Sequence, residues 1–338
     1  LSTISDHIPE TETAPKRDLR RYGWWLLALL ILIAPMILSR LDEAVPSADI
    51  NDFTTFFLSL FIEVFPFLLL GVFASGLIQA FVPARVFSRL PRNHLIHAIA
   101  GLLLGFVLPV GEAGVVPVTR RLFGKGASIA LTITFLLAGT VFNPMAFVST
   151  WLAFGDRLFF VLRFVISGGI AVGIGLLFAY AGTRDVIIRD ARIDDTALAL
   201  TYVSRLRAAL RIATDELIEF GRLFIIGAIL AAALSVIFRA EEVAPTASGV
   251  VRSVPVMQAL AFNSGMNSTL DSFTALDFVN RMPGGSIVAY LVFGALLDVK
   301  TVVMLLLVLK PRALIYLLIL AFLLTMLPAL WLNLNVAF

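Results

Sequence analysis

Long apolar runs, separated by short polar or charged connectors, set the pattern of this chain. A helix that crosses a bilayer needs about 20 consecutive apolar residues. Runs of that kind fall near 22–39, 53–82, 127–152, 158–181, 217–238, 284–309 and 313–334, and each predicts a spanning helix. The run at 22–39 follows a polar stretch and ends at Pro35 and Ser39-Arg40 without a small-residue cleavage site, so it reads as a first span and not as a cleavable signal. Two further apolar stretches, 95–123 and 254–280, are interrupted. The first breaks at Pro109-Val110-Gly111-Glu112-Ala113-Gly114 and the second at Asn263-Ser264-Gly265-Met266-Asn267-Ser268. Their halves, about 10–15 residues each, suit half a bilayer and predict two hairpins.

Basic residues then orient the spans. Lys and Arg concentrate in 16–21, 83–97, 120–125, 183–216 and 310–312, while the other connectors carry only Arg40, Arg157, Arg239, Arg252 and Arg281. The positive-inside rule places the first group in the cytoplasm. Both ends of 95–123 are then cytoplasmic and both ends of 254–280 external, so the two are expected to be re-entrant hairpins entering from opposite sides. Irregular backbone at membrane depth is tolerated only where it is buried in protein or lines a wet cavity.

The pattern also repeats. Ile62-Glu63 and Gly71 recur as Ile218-Glu219 and Gly227 at an offset of 156, and Leu136–Gly139 with Asn143 recurs as Leu291–Gly294 with Asp298 at an offset of 155. The hairpin centres, Gly111-Glu112-Ala113 and Met266-Asn267-Ser268, keep that spacing. The expected architecture is an all-α polytopic membrane protein built as an inverted repeat of helix, re-entrant hairpin, helix, helix. Its parts are a cytoplasmic N-terminal tail (1–21), a first spanning helix and external loop (22–52), a first repeat (53–181), a cytoplasmic linker with an amphipathic helix (182–216) and a second repeat (217–338).

Composition agrees and narrows the chemistry. The chain is 59% hydrophobic and 14% charged, with a mean hydropathy of +0.97, against about 45–50% apolar and about 25% charged in soluble domains. A soluble enzyme, a disordered chain and a nucleic-acid binder are excluded, and the lipid bilayer is the expected partner. There is no cysteine, hence no disulfide, no thiolate metal site and no thiol nucleophile. No Walker sequence and no HExxH occur, so no cofactor is expected, and metal binding is left open.

An ionisable group at the bilayer centre costs at least about 2.5–3.5 kcal/mol on insertion scales, so each needs a reason. Glu112 sits at the first tip between Gly111 and Gly114, where backbone can approach a ligand closely, and Pro109 and Pro117 are expected to break the flanking helices. The second tip carries Asn263, Ser264, Gly265, Asn267, Ser268, Thr269 and Asp271. Their oxygens and N–H groups could coordinate a cation or receive an anion. Asn143-Pro144 and Asp298-Val299-Lys300 occupy matching places inside spans. On an intact helix Asp298 and Lys300 point apart, so each is expected to find another partner, such as a tip residue. Arg163 and Arg222 lie one or two turns inside their helices and are expected to snorkel to the interface.

These residues resemble a known group. The run from Pro109 to Val118, then Gly124-Lys125-Gly126, then Ala138 to Pro144, is similar to the first-half pattern of ArsP-type permeases, bacterial predicted permeases of which some export trivalent organoarsenicals. Asn267 to Phe273 and Leu291 to Lys300 resemble the second half, and the likeness covers roughly 55–330. The family commonly has Cys-Ser-Cys where this chain has Gly111-Glu112-Ala113, and Cys-Ser where it has Asn267-Ser268. Trivalent arsenic binds soft thiolates, so the resemblance implies a permease but not an arsenical substrate.

The expected function is secondary transport of a small solute or ion by alternating access, in a bacterial-type inner membrane, with no enzymatic step. The site residues would be Glu112, Asn143, Asn263, Asn267, Ser268, Asp271, Asp298 and Lys300, on the hairpin backbone of Gly111, Gly114 and Gly265. The intramembrane carboxylates raise the expectation of a coupling proton. An ion channel, or a non-transport membrane subunit of a larger complex, is the alternative. Homo-oligomerisation is left open.

Overall fold

A computed structural model describes residues 47–89, 91, 93–155, 157–182, 201–239 and 249–336. The N-terminal tail, the expected span at 22–39 and most of the expected linker (183–200) lie outside the described residues. The rest is helical. In chain order the helices are α1 (Ser47–Phe81), α2 (His94–Val107), α3 (Gly111–Gly124), α4 (Ile129–Val141), α5 (Pro144–Phe154), α6 (Arg157–Tyr180), α7 (Tyr202–Ile237), α8 (Ser253–Ser264), α9 (Leu270–Thr274), α10 (Gly284–Leu296), α11 (Val299–Leu305) and α12 (Pro311–Asn335). Among the described residues, five helices or helix pairs are long and apolar enough to cross a membrane, and α4 with α5, bent by 44° at their junction, makes a sixth. The structure therefore bears out an all-helical membrane protein with several spans.

Two helices form the centre. Every residue of α10 is buried, as is α4 from Ala130 to Val141. A helix that is apolar all round belongs inside a bundle. The outer helices instead carry a stripe toward lipid, as in α12, where Ile315, Ile319, Leu323, Leu327 and Trp331 recur every fourth residue and are exposed. Small residues let backbones meet. A Cβ added at Gly71 of α1 would lie 2.1 Å from the Gly114 Cα of α3, and one at Gly285 of α10 would lie 2.2 Å from the Ala329 carbonyl oxygen of α12.

The central helices stop short. Thirteen residues at 1.5 Å each give about 20 Å, less than the roughly 30 Å hydrocarbon core. α4 ends at Phe142 and restarts at Pro144, with Asn143 as the cap, its Oδ1 accepting from the Met145 and Ala146 N–H groups at 2.7 and 3.1 Å. α10 ends at Leu297 and restarts at Val299, with Asp298 as the cap, its Oδ1 accepting from the Thr301 N–H at 2.7 Å. Both breaks satisfy freed backbone donors with a side-chain oxygen.

Contacts between helices form two sets toward opposite ends of α1, the Arg120 and Arg121 pairs reaching the middle of α7. One joins Phe81 to Tyr202 (ring centroids 5.5 Å), His94 to Tyr180 (5.2 Å), Arg120 to Glu219 (2.7 Å) and Arg121 to Glu216. The other joins Arg239 to Asp49, and Asn333 to Ser286 and the Val250 carbonyl at 2.8 and 2.9 Å.

Three expectations change. The amphipathic helix expected in the linker and the span expected from 217 are one helix, α7, which runs unbroken from Tyr202 to Ile237. Pro117 does not break its helix: α3 continues through it to Gly124, and the interruption lies at Leu108-Pro109-Val110, because the residue before a proline avoids helical backbone. The second hairpin's return arm is short: five residues of α9 and a 3-10 turn at Ala275–Phe278, ended by Asn280 at φ 70°.

Candidate functional site

The two chain breaks face each other and touch. α2 ends before Pro109, and Gly111 (φ +65°) turns the chain into α3, seated so closely on Phe67 that a Cβ would lie 2.7 Å from its ring. Only glycine takes that backbone without strain. Gly265 (φ +56°) caps α8 in the same left-handed conformation. Glu112, in the first turn of α3, reaches across to the second tip: its Oε1 accepts from the Ser268 N–H at 2.6 Å and its Oε2 from the Lys300 ammonium at 3.2 Å.

Lys300 is fully buried on α11 and joins four parts of the chain. Its Nζ donates to Glu112, to Asp298 and to the Gly265 carbonyl. The expectation that Lys300 meets a tip residue holds. The expectation that it cannot pair with Asp298 does not, because the helix is not intact there. Asp298 is an extended cap residue outside α11, so its carboxylate can turn back over the first turn. Asn267 caps the return arm, its Oδ1 accepting from the Thr269 and Leu270 N–H groups at 2.8 and 3.2 Å. The Ser268 hydroxyl donates to the Thr140 carbonyl of α4 at 3.0 Å.

Asp271 has a partner that the sequence did not assign. Arg163 of α6 does not snorkel; it is completely buried. Its Nη2 donates to Asp271 Oδ1 and Oδ2 at 2.9 and 3.1 Å and to the Ser268 carbonyl at 2.8 Å, and its Nη1 to Ser272 Oγ and Thr150 Oγ1 at 2.5 and 3.0 Å. A guanidinium fork can serve several acceptors at once, which a snorkelling side chain at the interface would not need to do. The readable signal was the presence of any arginine within a span.

Glu112, Ala113, Asn143, Asn267 and Ser268, with Val64 and Phe67 of α1 and Gly111, enclose a cavity of about 10 Å³, room for about one water. Asn263 is not brought into this group. It borders a separate cavity of about 110 Å³ with Ser235, Ser264, Met266, Thr274 and Tyr290. Glu63 of α1, which the sequence marked only as a landmark of the repeat, has both carboxylate oxygens buried with no cation bonded to either. Among the described residues, no group of three or more His, Cys, Asp or Glu is placed to hold a metal ion.

The assembly is thus a closed, polar knot at the junction of two broken helices and two hairpin tips. Residues 49–334 match a family model described as a predicted permease. A Bacillus subtilis protein named UPF0718 protein YcgR is 34% identical over 262 residues, covering 76% of this chain and 88% of the relative. A Streptococcus mutans protein named a putative two-component membrane permease complex subunit is 29% identical over 253 residues, covering 73% of this chain and 84% of the relative. No solved structure matches.

Proposed function

From the premise that the chain belongs to the ArsP-type family of predicted permeases, we propose that it is a secondary transporter. It moves a small solute by alternating access around Glu112, Asn143, Asn267, Ser268, Asp271, Asp298 and Lys300. The observation that carries this is the tip-to-tip contact. Glu112 of one hairpin holds the Ser268 N–H of the other while Lys300 ties both to the break at Asp298. Charges this deep are expensive, and a packing role alone would be filled more cheaply by apolar residues. A rocking of one half against the other would exchange these contacts for contacts to solute. The ion pairs Arg121–Glu216 and Arg239–Asp49, in the two opposite sets of contacts, suit a state closed on both sides.

The inverted-repeat reading goes with this proposal. α4 and α10 begin and end 155 residues apart, and α1 and α7 end 156 apart, so one unit used twice accounts for the bounds of these four helices. The two sets of contacts agree with the charge-rich and charge-poor connectors, which supports hairpins re-entering from opposite faces. The chain has no native cysteine, so single cysteines can be labelled without background. Cysteines at Arg85 and Gly126 are expected to label from the cytoplasm, and cysteines at Arg252 and Arg281 from outside. Labelling of either pair from opposite sides would replace that hairpin by a full crossing. The relatives are bacterial, which supports placement in a bacterial cell membrane.

Without thiolates the site suits a hydrogen-bonding or hard, oxygen-liking solute. The test is thermal unfolding of the purified protein with metal cations, oxyanions, organic acids and arsenicals. A ligand at about 100 times its Kd stabilises by about 2.7 kcal/mol. One class is expected to raise the melting temperature of the wild type and not of Glu112→Gln with Asp271→Asn. A hit that survives in the double variant would move the site elsewhere. The Streptococcus mutans relative's description as a complex subunit favours a second reading, a permease that binds solute only with a partner protein. That reading predicts no hit with the chain alone.

A further inference from the structure

Among the described residues, four carboxylates surround the two tips, and the cations bonded to them are Lys300 and Arg163. Lys300 has three N–H donors, and all are committed, to Glu112, Asp298 and the Gly265 carbonyl. The Arg163 Nη groups are committed to Asp271, Ser268, Ser272 and Thr150. Glu63 is left over. Both of its oxygens are buried, and no cation bonds either of them. The charged groups that act on it are Lys300, Asp271 and Asp298; Asp271 is answered by Arg163 and Asp298 by Lys300, which leaves no cation for Glu63 itself. The polar neighbour beside it is the Asn267 amide, whose oxygen is held by Thr269 and Leu270 and whose NH₂ is therefore the end left for Glu63.

Glu63 also has an approach to water. It lies one helical turn before Phe67 and next to Val64, both of which border the water-sized cavity beside Glu112, and residues four apart share a helix face. A carboxylate removed from water and left without a cation is costly, and adding a proton removes that cost. A metal cation would instead need several oxygens around it, and the Asn267 NH₂ is a donor, which repels one.

We propose that Glu63 is the coupling-proton site of the transport cycle, separate from the solute-binding cluster of Glu112, Asp298 and Lys300. The inference rests on the transporter reading above and names its driving ion. In the closed state the Glu63 carboxyl carries the proton, on an O–H bond, and the site can exclude water. Loss of that proton leaves a charge that only water or an opened site can stabilise. Opening and proton release are thereby tied together, and the proton leaves to whichever side is open.

The test needs no solute. Proteoliposomes of the full chain on a solid-supported membrane are given a downward pH step and, separately, a NaCl step at constant pH. A current on the pH step is expected in the wild type, abolished in Glu63→Gln. It should persist in Glu219→Gln, whose native glutamate is half-exposed and paired with Arg120. No wild-type current, a current unchanged in Glu63→Gln, or a Glu63-dependent current on the NaCl step would each overturn the proposal. Should Glu63→Gln fail to assemble, Glu63→Asp decides. The infrared carbonyl stretch of the protonated acid is expected to shift in that variant, and an unmoved band would assign the proton elsewhere. The two readings fail separately. A Glu63-dependent pH current with no solute bound or moved removes solute transport alone, whereas solute flux that keeps its proton dependence in Glu63→Gln removes this inference alone.

Discussion

Arg163→Met is expected to lower stability by about 3–5 kcal/mol, the usual cost of breaking a buried ion pair by removing one partner. The size follows from what is stranded. Asp271 is 2% exposed, and with Arg163 gone its carboxylate, the Ser268 carbonyl and two hydroxyls lose a shared donor. At roughly 2–4 °C per kcal/mol the melting temperature in detergent should fall by on the order of 10 °C. Adding Asp271→Asn should recover a substantial part, because the unpaired charge is then gone and the two positions are directly coupled. Arg163→Lys should fall between, since an ammonium cannot reproduce the fork. A melting temperature unchanged in Arg163→Met would mean that the pair is not formed in the membrane.

Lys300→Met should cost a similar amount, about 3–5 kcal/mol, and should also abolish ligand-induced stabilisation. Two carboxylates, Glu112 and Asp298, are left facing each other's charge without their cation, and the Gly265 carbonyl is left unpaired. The pattern of rescue is specific. Asp298→Asn should restore stability better than Glu112→Gln, because asparagine caps a helix as well as aspartate does and keeps the bond from the Thr301 N–H. Glu112 then remains held by the Ser268 N–H alone. Stability that returns while ligand stabilisation does not would separate the structural from the binding contribution of Lys300. Ligand stabilisation surviving in Lys300→Met would remove this residue from the site.

Spans and breaks were legible to different degrees, for physical reasons that can be named. Hydropathy placed 158–181 and 313–334 within two or three residues of α6 and α12, because lipid-facing helices must be apolar over their whole crossing. The break between α4 and α5 falls inside the expected span 127–152, at Pro144, a residue that marks such an interruption. Its counterpart at Asp298 carries no such mark, because Val299 stands where the first half has proline, and an isolated Asp reads equally well as a cap or as a buried charge. The continuity of α7 was not legible, because its first turns carry Arg205, Arg207 and Arg211, and hydropathy separates such an amphipathic stretch from the apolar span that follows it although one helix carries both.

The sequence by itself determined that this chain lives in a bilayer, that two of its apolar stretches are interrupted by polar residues, and that no thiolate ligand is available. Those are matters of composition and local spacing, and each residue carries them wherever the chain goes. Only the tertiary structure decided which charge answers which. Arg163 meets Asp271 across 108 positions, Lys300 meets Glu112 across 188, and Glu63 is left without a cation because both are taken. Pairing of that kind depends on where helices end and how closely their glycines let them approach, and a buried charge is satisfied by proximity in space, which position along the chain does not encode.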